Sequence, residues 1–229
     1  MTILGIIPAR GGSKGIPQKN LVSLAGKPLL SYTCEQALRA KSLTRVIVNT
    51  DNEEIARCAK GYRVEVPFLR PKHLSEDETP MLDVLLHALE TLQSQEGYQP
   101  DIVVLLQPTS PLRQAEQIDE AVQKLVNSDA DSVVSVVEVP HQFNPVSLLR
   151  LESGSLIPYL NGPQISRRQE KPILYARNGP AILAVRRKIL VEQKSLYGNR
   201  TLPFVMPLEF SVDIDGPSDL AFAEWILRQ

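Results

Sequence analysis

The chain predicts an α/β domain, a mostly parallel sheet with helices on both faces. Three observations carry that expectation. From Ile3 to Val139, short apolar runs alternate with helical patterns, the rhythm of strands joined by helical crossovers. The run Ile102-Val103-Val104-Leu105-Leu106 is apolar without a break, as in a strand covered on both faces. A chain of 229 residues, 43% of them hydrophobic, is enough for one sizeable core.

The elements follow in order. Ile3–Pro8 is the first strand. Pro28 suits the first position of a helix ending near Lys41, with Leu29, Leu30, Ala37 and Leu38 on its apolar side. Arg45–Asn49 is a second strand, after which Asp51 is expected to cap a helix through about Lys60. Residues 64–68 are short and extended. Pro80 opens a helix to about Gln95 whose stripe is Leu82, Leu85, Leu86 and Leu89. Asp101–Gln107 is the doubly buried strand, Ala115–Asn127 a helix and Ser132–Val139 another strand. The C-terminal end reads as a strand over Ser211–Asp215, a Gly216-Pro217 turn and a helix over Ser218–Arg228. Between Pro140 and Ala176 the rhythm breaks into Pro, Asn, Gly and Ser with short strand-like pieces. Leu148, Leu149, Leu151, Leu156, Ile157 and Leu160 must cover something there. The expectation is therefore a single domain over 1–229 with an inserted arm at about 140–176. Either a subunit interface or the domain itself takes that apolar surface.

Composition excludes several classes. Lys and Arg number 25 against 26 Asp and Glu, a net charge of −1, which gives no reason to expect nucleic acid or an anionic membrane as partner. No apolar run approaches the ~18 residues of a membrane span. Arg10 and the glycines after it interrupt the apolar start, so no secretory leader is expected. Cys34 and Cys58 form no CxxC pair, and the three histidines are scattered, a usage that suits a reducing cytoplasm without zinc.

The chemistry concentrates in four places. In the stretch from Ile6 to Asn20, Ala9-Arg10-Gly11-Gly12-Ser13-Lys14-Gly15 leaves the first strand with three glycines and a hydroxyl, and Lys19-Asn20 follows. The first acid in the chain is Glu35, so the local field is wholly positive. Glycines let backbone N–H groups turn onto oxyanions, and Arg and Lys supply charge-assisted bonds to phosphate. This reads as a polyphosphate cradle, although it is neither a GxxxxGK[ST] loop nor a GxGxxG turn. Gly11, Ser13 and Gly15 do match a nucleophile elbow, but no histidine lies near the C-terminus to serve that serine.

Late in the chain, Asp213 and Asp215 are two apart, which in a strand puts both carboxylates on one side with Val212 and Ile214 inward. Such a pair suits Mg²⁺, which takes few carboxylates and completes its shell with water and phosphate. A strand-end carboxylate and a helix cap is the plainer alternative. Gln107-Pro108-Thr109-Ser110, beyond the buried strand, offers rigid polar groups for a base, ribose or sugar, or a helix start. Arg167-Arg168-Gln169 in the arm, with Arg177-Asn178-Gly179 after it, could grip a carboxylate or sit as solvated charge.

Taken together, the stretches IPARGGSKGIPQKN (Ile7–Asn20), VNTDN (Val48–Asn52), LRP (Leu69–Pro71), LLQPTSPLR (Leu105–Arg113), RRQ (Arg167–Gln169), RNG (Arg177–Gly179) and VDID (Val212–Asp215) resemble the CMP-acylneuraminate synthetases, with CMP-Kdo synthetases as more distant relatives. The resemblance implies a Rossmann-like domain with a dimerisation arm, hence a homodimer. It also implies a Mg²⁺-dependent reaction of CTP with a sugar acid, giving a CMP-sugar and pyrophosphate. By the same resemblance, the nucleotide would meet Ala9, Arg10, Gly11, Gly12, Ser13, Lys14, Lys19, Asn20, Arg70, Gln107, Pro108, Thr109 and Ser110. The sugar would meet Gln107, Arg167, Arg168, Gln169, Asn178 and Asp213. The metal would sit on Asp213 and Asp215, and catalysis would rest on Arg10, Lys19, Asp213 and Asp215. Two positions depart from the family pattern: Ser147 stands where those enzymes commonly have lysine, and no aromatic follows Asn178-Gly179-Pro180. Another ulosonic acid, another base such as that of GTP, a sugar phosphate as acceptor, or a silent nucleotide-binding module are the alternatives.

Overall fold

Strand β1 (Ile3–Pro8) occupies an inner position of the main sheet, and its side chains show why the apolar runs become strands. Leu4 and Ile6 enter one core layer while Ile3 and Ile7 enter the other. The computed structural model describes residues 1–161, 165 and 167–229. After β1, a short hairpin of β2 (Ser23–Leu24) and β3 (Lys27–Pro28) leads into helix α1 (Leu29–Arg39). Then come β4 (Arg45–Asn49), α2 (Glu53–Gly61), α3 (Met81–Glu96), β5 (Ile102–Leu105), α4 (Ala115–Val126) and β6 (Ser132–Glu138). The second half holds β7 (Leu149–Glu152), β8 (Ser155–Pro158), β9 (Tyr175–Arg177), β10 (Leu183–Arg186), α5 (Arg187–Glu192), β11 (Thr201–Val205) and α6 (Pro217–Leu227).

The sheet order is β11-β6-β10-β5-β1-β4, with β9 also paired to β6. β1 runs parallel to β4 and β5, and β6 parallel to β11, whereas β10 is antiparallel to both its neighbours. Helices α1, α2 and α4 cover one face through Leu30, Ala37, Ile55, Ile118 and Leu125. Helices α3 and α5 cover the other through Leu85, Leu89, Leu92 and Ile189. This is the three-layer α/β arrangement expected. Among the described residues, no helix is long and apolar enough to cross a membrane.

Two expectations change. Ser211–Asp215 forms no strand; it runs as an extended loop after a 3-10 turn at Leu208–Phe210. The alternation of Val212 and Ile214 imitates a strand, but β5 is already paired on both sides by β1 and β10, so no edge is open to it. The cap of α2 is Asn52, whose side chain accepts the N–H groups of Glu54 and Ile55. Asp51 is instead drawn to Gly11, whose N–H it accepts at 3.0 Å. Residues 64–68 contribute only an isolated bridge between Glu65 and Ile47.

Residues 177–210, without assignment from sequence, hold β10, α5 and β11. Pro203 within β11 argues against a strand, yet β11 is an edge, where a missing N–H is tolerated. In the arm, β7 and β8 form a two-stranded sheet of their own. Leu149, Leu151 and Leu156 on it are 56%, 73% and 65% exposed, so the domain does not fold back to cover them. Gly162, Pro163, Gln164 and Ser166 of the arm lie outside the described residues.

Candidate functional site

Beyond the C-terminal ends of β1 and β5, where open α/β sheets bind ligands, lies a cavity of about 300 Å³. One wall is the loop after β1. Its two limbs are tied by Asn20, whose Nδ2 donates to the Arg10 carbonyl at 2.9 Å. The glycines behave differently from expectation, since none of Gly11, Gly12 and Gly15 has positive φ and the left-handed residue is Gln18. Gly15 is required for space: a Cβ there would lie 2.2 Å from the Asp215 carbonyl oxygen. Gly12 faces open space and lines the cavity.

The facing wall comes from two loops far apart in sequence, and Ile214 fastens them to the first. Its side chain is fully buried with Ile16, Leu24 and Leu29, a burial worth ~1.5–3 kcal/mol. Its N–H donates to the Thr109 carbonyl at 2.8 Å, and its carbonyl accepts Lys19 Nζ at 2.7 Å. Asp213 and Asp215, on either side of this pin, both line the cavity. The shared orientation expected of a strand therefore survives without the strand.

Electrostatics distinguish the residues. Lys19 Nζ lies 3.2 Å from Asp215 Oδ1. Arg10 and Lys14 each hold one oxygen of Asp77 at 2.6 Å. Lys14 and then Arg10 keep the Asp77 carboxyl below the ordinary carboxylate range. Burial pushes the Asp213 carboxyl up, Asp215 adds to the rise, and Thr109 and Lys19 pull the other way. Among the described residues, Asp213 Oδ1, Thr109 Oγ1 and Ser110 Oγ are buried without a well-aligned hydrogen bond, the Thr109 hydroxyl being near enough to Asp213 to hold its carboxyl down. Arg70 is 5% exposed, its Nε donating to Ser75 Oγ at 3.0 Å, and burial lowers its pKa while Asp51 opposes the fall.

Of the residues named from sequence, Arg10, Gly12, Ser13, Lys19, Asn20 and Arg70 line this cavity, and so do Gln107, Pro108, Thr109, Asp213 and Asp215. The others stand apart. Ala9 is buried in the core, and Gly11 gives its N–H to Asp51. Lys14 reaches Asp77 from an exposed position, and Ser110 is buried. Asn178 does not present its amide to the cavity: Oδ1 accepts from Ser135 Oγ at 2.6 Å and Nδ2 donates to Ser211 Oγ at 3.0 Å. It anchors the segment that carries Asp213. Arg168 and Gln169 line a separate cavity in the arm with His141, Asn144 and Lys171. Arg167 pairs with Glu170 at the surface, 3.4 Å away.

The sequence reading missed Glu76, Asp77, Thr79 and Met81, which also line the first cavity. The acidic run Glu76-Asp77-Glu78 before the proline of α3 resembles a solvated turn, and only the two cations opposite give Asp77 a role.

The donor set fits a small hard cation. Four carboxylates line the cavity; Asp77 is taken up by Arg10 and Lys14, while Asp213 of the Asp213–Asp215 pair keeps an orphaned oxygen. Among the described residues no group of three or more His, Cys, Asp or Glu side chains could hold a metal by itself. Mg²⁺ suits such a site because it leaves positions for phosphate and water.

The model of the family described as cytidylyltransferase matches residues 4–227. A CMP-N,N′-diacetyllegionaminic acid synthase of Legionella pneumophila is 37% identical over 231 residues, covering 100% of this chain and 97% of that one. A pseudaminic acid cytidylyltransferase of Campylobacter jejuni is 33% identical over 228 residues, covering 100% and 97%. In fold, the chain is similar to a CMP:2-keto-3-deoxy-manno-octonic acid synthetase solved with CTP: TM-score 0.72, 18% identity, 100% and 99% coverage.

Proposed function

This chain belongs to the cytidylyltransferase family, and from that premise we propose that it joins CTP to a sialic-acid-like sugar acid, N,N′-diacetyllegionaminic acid being the first acceptor to test. The observation that carries the proposal is the meeting of Arg10 and Lys19 with Asp213 and Asp215 around one cavity. The acceptor's anomeric hydroxyl oxygen attacks the α-phosphorus of CTP. A new O–P bond forms as the hydroxyl gives its proton to a carboxylate, Asp213 being the candidate, the bond to the oxygen bridging the α- and β-phosphates breaks, and pyrophosphate leaves. Such transfers depend on positioning and charge neutralisation more than on a nucleophilic side chain.

Arg10 and Lys19 would bind the departing phosphates. For Arg10 this means exchanging Asp77 for a more highly charged partner. Arg70 and the Gln107-Pro108-Thr109 loop would hold the nucleoside, and Gln107 would face the acceptor. Asp213 and Asp215 would hold Mg²⁺, which when bound neutralises charge building on the phosphates. The exposed hairpin β7–β8 supports a homodimer, whose partner would cover those leucines and meet the arm cavity with Arg168 and Gln169. Dependence on CTP and the unpaired Cys34 and Cys58 support a cytoplasmic setting.

The test is pyrophosphate release and CMP-sugar detection by mass spectrometry. CTP, GTP, ATP and UTP are each paired with N,N′-diacetyllegionaminate, pseudaminate, N-acetylneuraminate, Kdo and a sugar 1-phosphate. Turnover is expected only with CTP and a sugar acid. Turnover confined to the sugar 1-phosphate or to another nucleotide overturns the proposal.

A further inference from the structure

The largest fully buried side chain in the protein is a cation. Arg113 is 1% exposed, and among the described residues no carboxylate pairs with it. Burying an unpaired charge is costly, and apolar substitutes for buried ions are often neutral for stability. Stability alone therefore does not explain an arginine here.

Its contacts point to the site. Nη1 donates to the carbonyls of Gln107 at 3.2 Å and Ala181 at 2.7 Å, and Nη2 donates to Thr33 Oγ1 at 2.8 Å. Gln107 belongs to the loop after β5, and Ala181 to the loop before β10. These adjacent antiparallel strands bring both loops to the same end of the sheet. The two loops are also joined directly, because Gln107 Nε2 donates to the Gly179 carbonyl at 3.0 Å. That bond fixes which way the amide points, since a carbonyl accepts only from the nitrogen, and it leaves Oε1 turned away from Gly179. Gly179 has φ +119°, and a Cβ there would lie 3.3 Å from Ser110 Oγ and 3.6 Å from Asp213 Oδ2. A shift of this loop is therefore felt at the Asp213 carboxylate, which lines the cavity. One planar guanidinium reaches two carbonyls and a hydroxyl at once; an ammonium cannot present that fork.

We infer that Arg113 is a positioning residue for the reaction, clamping the loops after β5 and before β10 so that the Gln107 amide presents Oε1 to the acceptor. The inference rests on the proposed function. Burial lowers the Arg113 pKa, but a guanidinium starts so high that the clamp stays charged at neutral pH.

The experiment compares the wild-type chain with R113K, Q107A and the double variant, using CTP and the acceptor that the panel identifies. R113K is expected to lower kcat/KM for the acceptor by about 10- to 100-fold, as small misplacements of reacting groups do. CTP affinity measured by calorimetry without acceptor should stay within about threefold. Because Arg113 acts through Gln107, R113K/Q107A should be no worse than Q107A alone, within about threefold. T33V removes one contact of the clamp and should give a smaller loss of the same acceptor-selective kind, which decides the matter if R113K does not fold. Wild-type kinetics in R113K or in T33V, multiplying effects in the double variant, or an equal loss of CTP affinity would each overturn the inference and leave the function standing. A wild-type chain that turns over no sugar acid overturns both.

Discussion

On the cationic wall of the cavity the charges are engaged by the protein itself. Arg10 and Lys14 hold Asp77, and Lys19 holds Asp215 and the Ile214 carbonyl. The facing wall differs: among the described residues, Asp213 Oδ1 and Thr109 Oγ1 are buried without a well-aligned hydrogen bond, and Ser110 Oγ is in the same state nearby. The ion pairs are partly exposed and individually worth little, so a triphosphate can displace Asp77 at small cost. An unpartnered buried polar atom costs ~1–3 kcal/mol until something pairs with it. One wall thus screens its own charge in the free protein, whereas the other bears an unmet polar demand that a bound ligand relieves.

Substitutions can break this contrast or sharpen it. The largest effect is expected from Asp213→Asn, which removes the charge of the unsatisfied wall. Turnover should fall about a thousandfold, in the upper range for losing one electrostatic group in an active site; near-wild-type turnover would remove Asp213 from the chemistry. Lys19→Ala takes away a cation that ties the loop after β1 to Ile214 and Asp215 and should lower kcat/KM for CTP by roughly 100-fold; stopped-flow binding and steady-state rates with CTP would expose an unaltered triphosphate interaction. Gly15→Ala forces the loop away from the Asp215 carbonyl and should cost about 10- to 100-fold in turnover with the fold intact, so circular dichroism is recorded beside the rate. Asp77→Asn should tighten CTP about three- to tenfold at low salt, the gain shrinking as screening rises. Weaker binding would mean that Asp77 supports the nucleotide instead of competing with it.

The smallest effect is in stability. Asp213 is an acid whose folded pKa is raised, so ionising it destabilises the native state. Asp213→Asn should therefore raise Tm near neutral pH. Above the raised folded pKa the gain is fully present. It fades as pH falls through that value to the ordinary carboxylate pKa, and melting curves at pH 7 and pH 4 would read it.

The two parts of the site differ in how far they can be read from residue order. The loop after β1 is local: strand, glycines, serine and cations follow one another, so both its position and its chemistry are visible in a line of text. Asp77 is invisible in that way, because an acid in a turn acquires meaning only from Arg10 and Lys14 across the cavity. Asn178 misleads in the opposite direction. It stands between Arg177 and Gly179 as a polar residue before an apolar strand, yet its amide is spent on Ser135 and Ser211. Polarity shows in sequence, but the direction in which a side chain points does not.

From sequence alone came the layers and the two ends of the site. Doubly apolar runs can only be inner strands, and a glycine-rich cationic loop leaving such a strand has few other uses. The tertiary structure decided which distant segments share the cavity. Asp213 and Asp215 face the loop because Ile214 is buried with Ile16 and bonded to Thr109 and Lys19, contacts that span up to 195 residues. It also decided that Ser211–Asp215 lies outside the sheet, since β10 holds the place beside β5. Local pattern states which face a residue prefers; competition between segments for one edge and one core determines what that face meets.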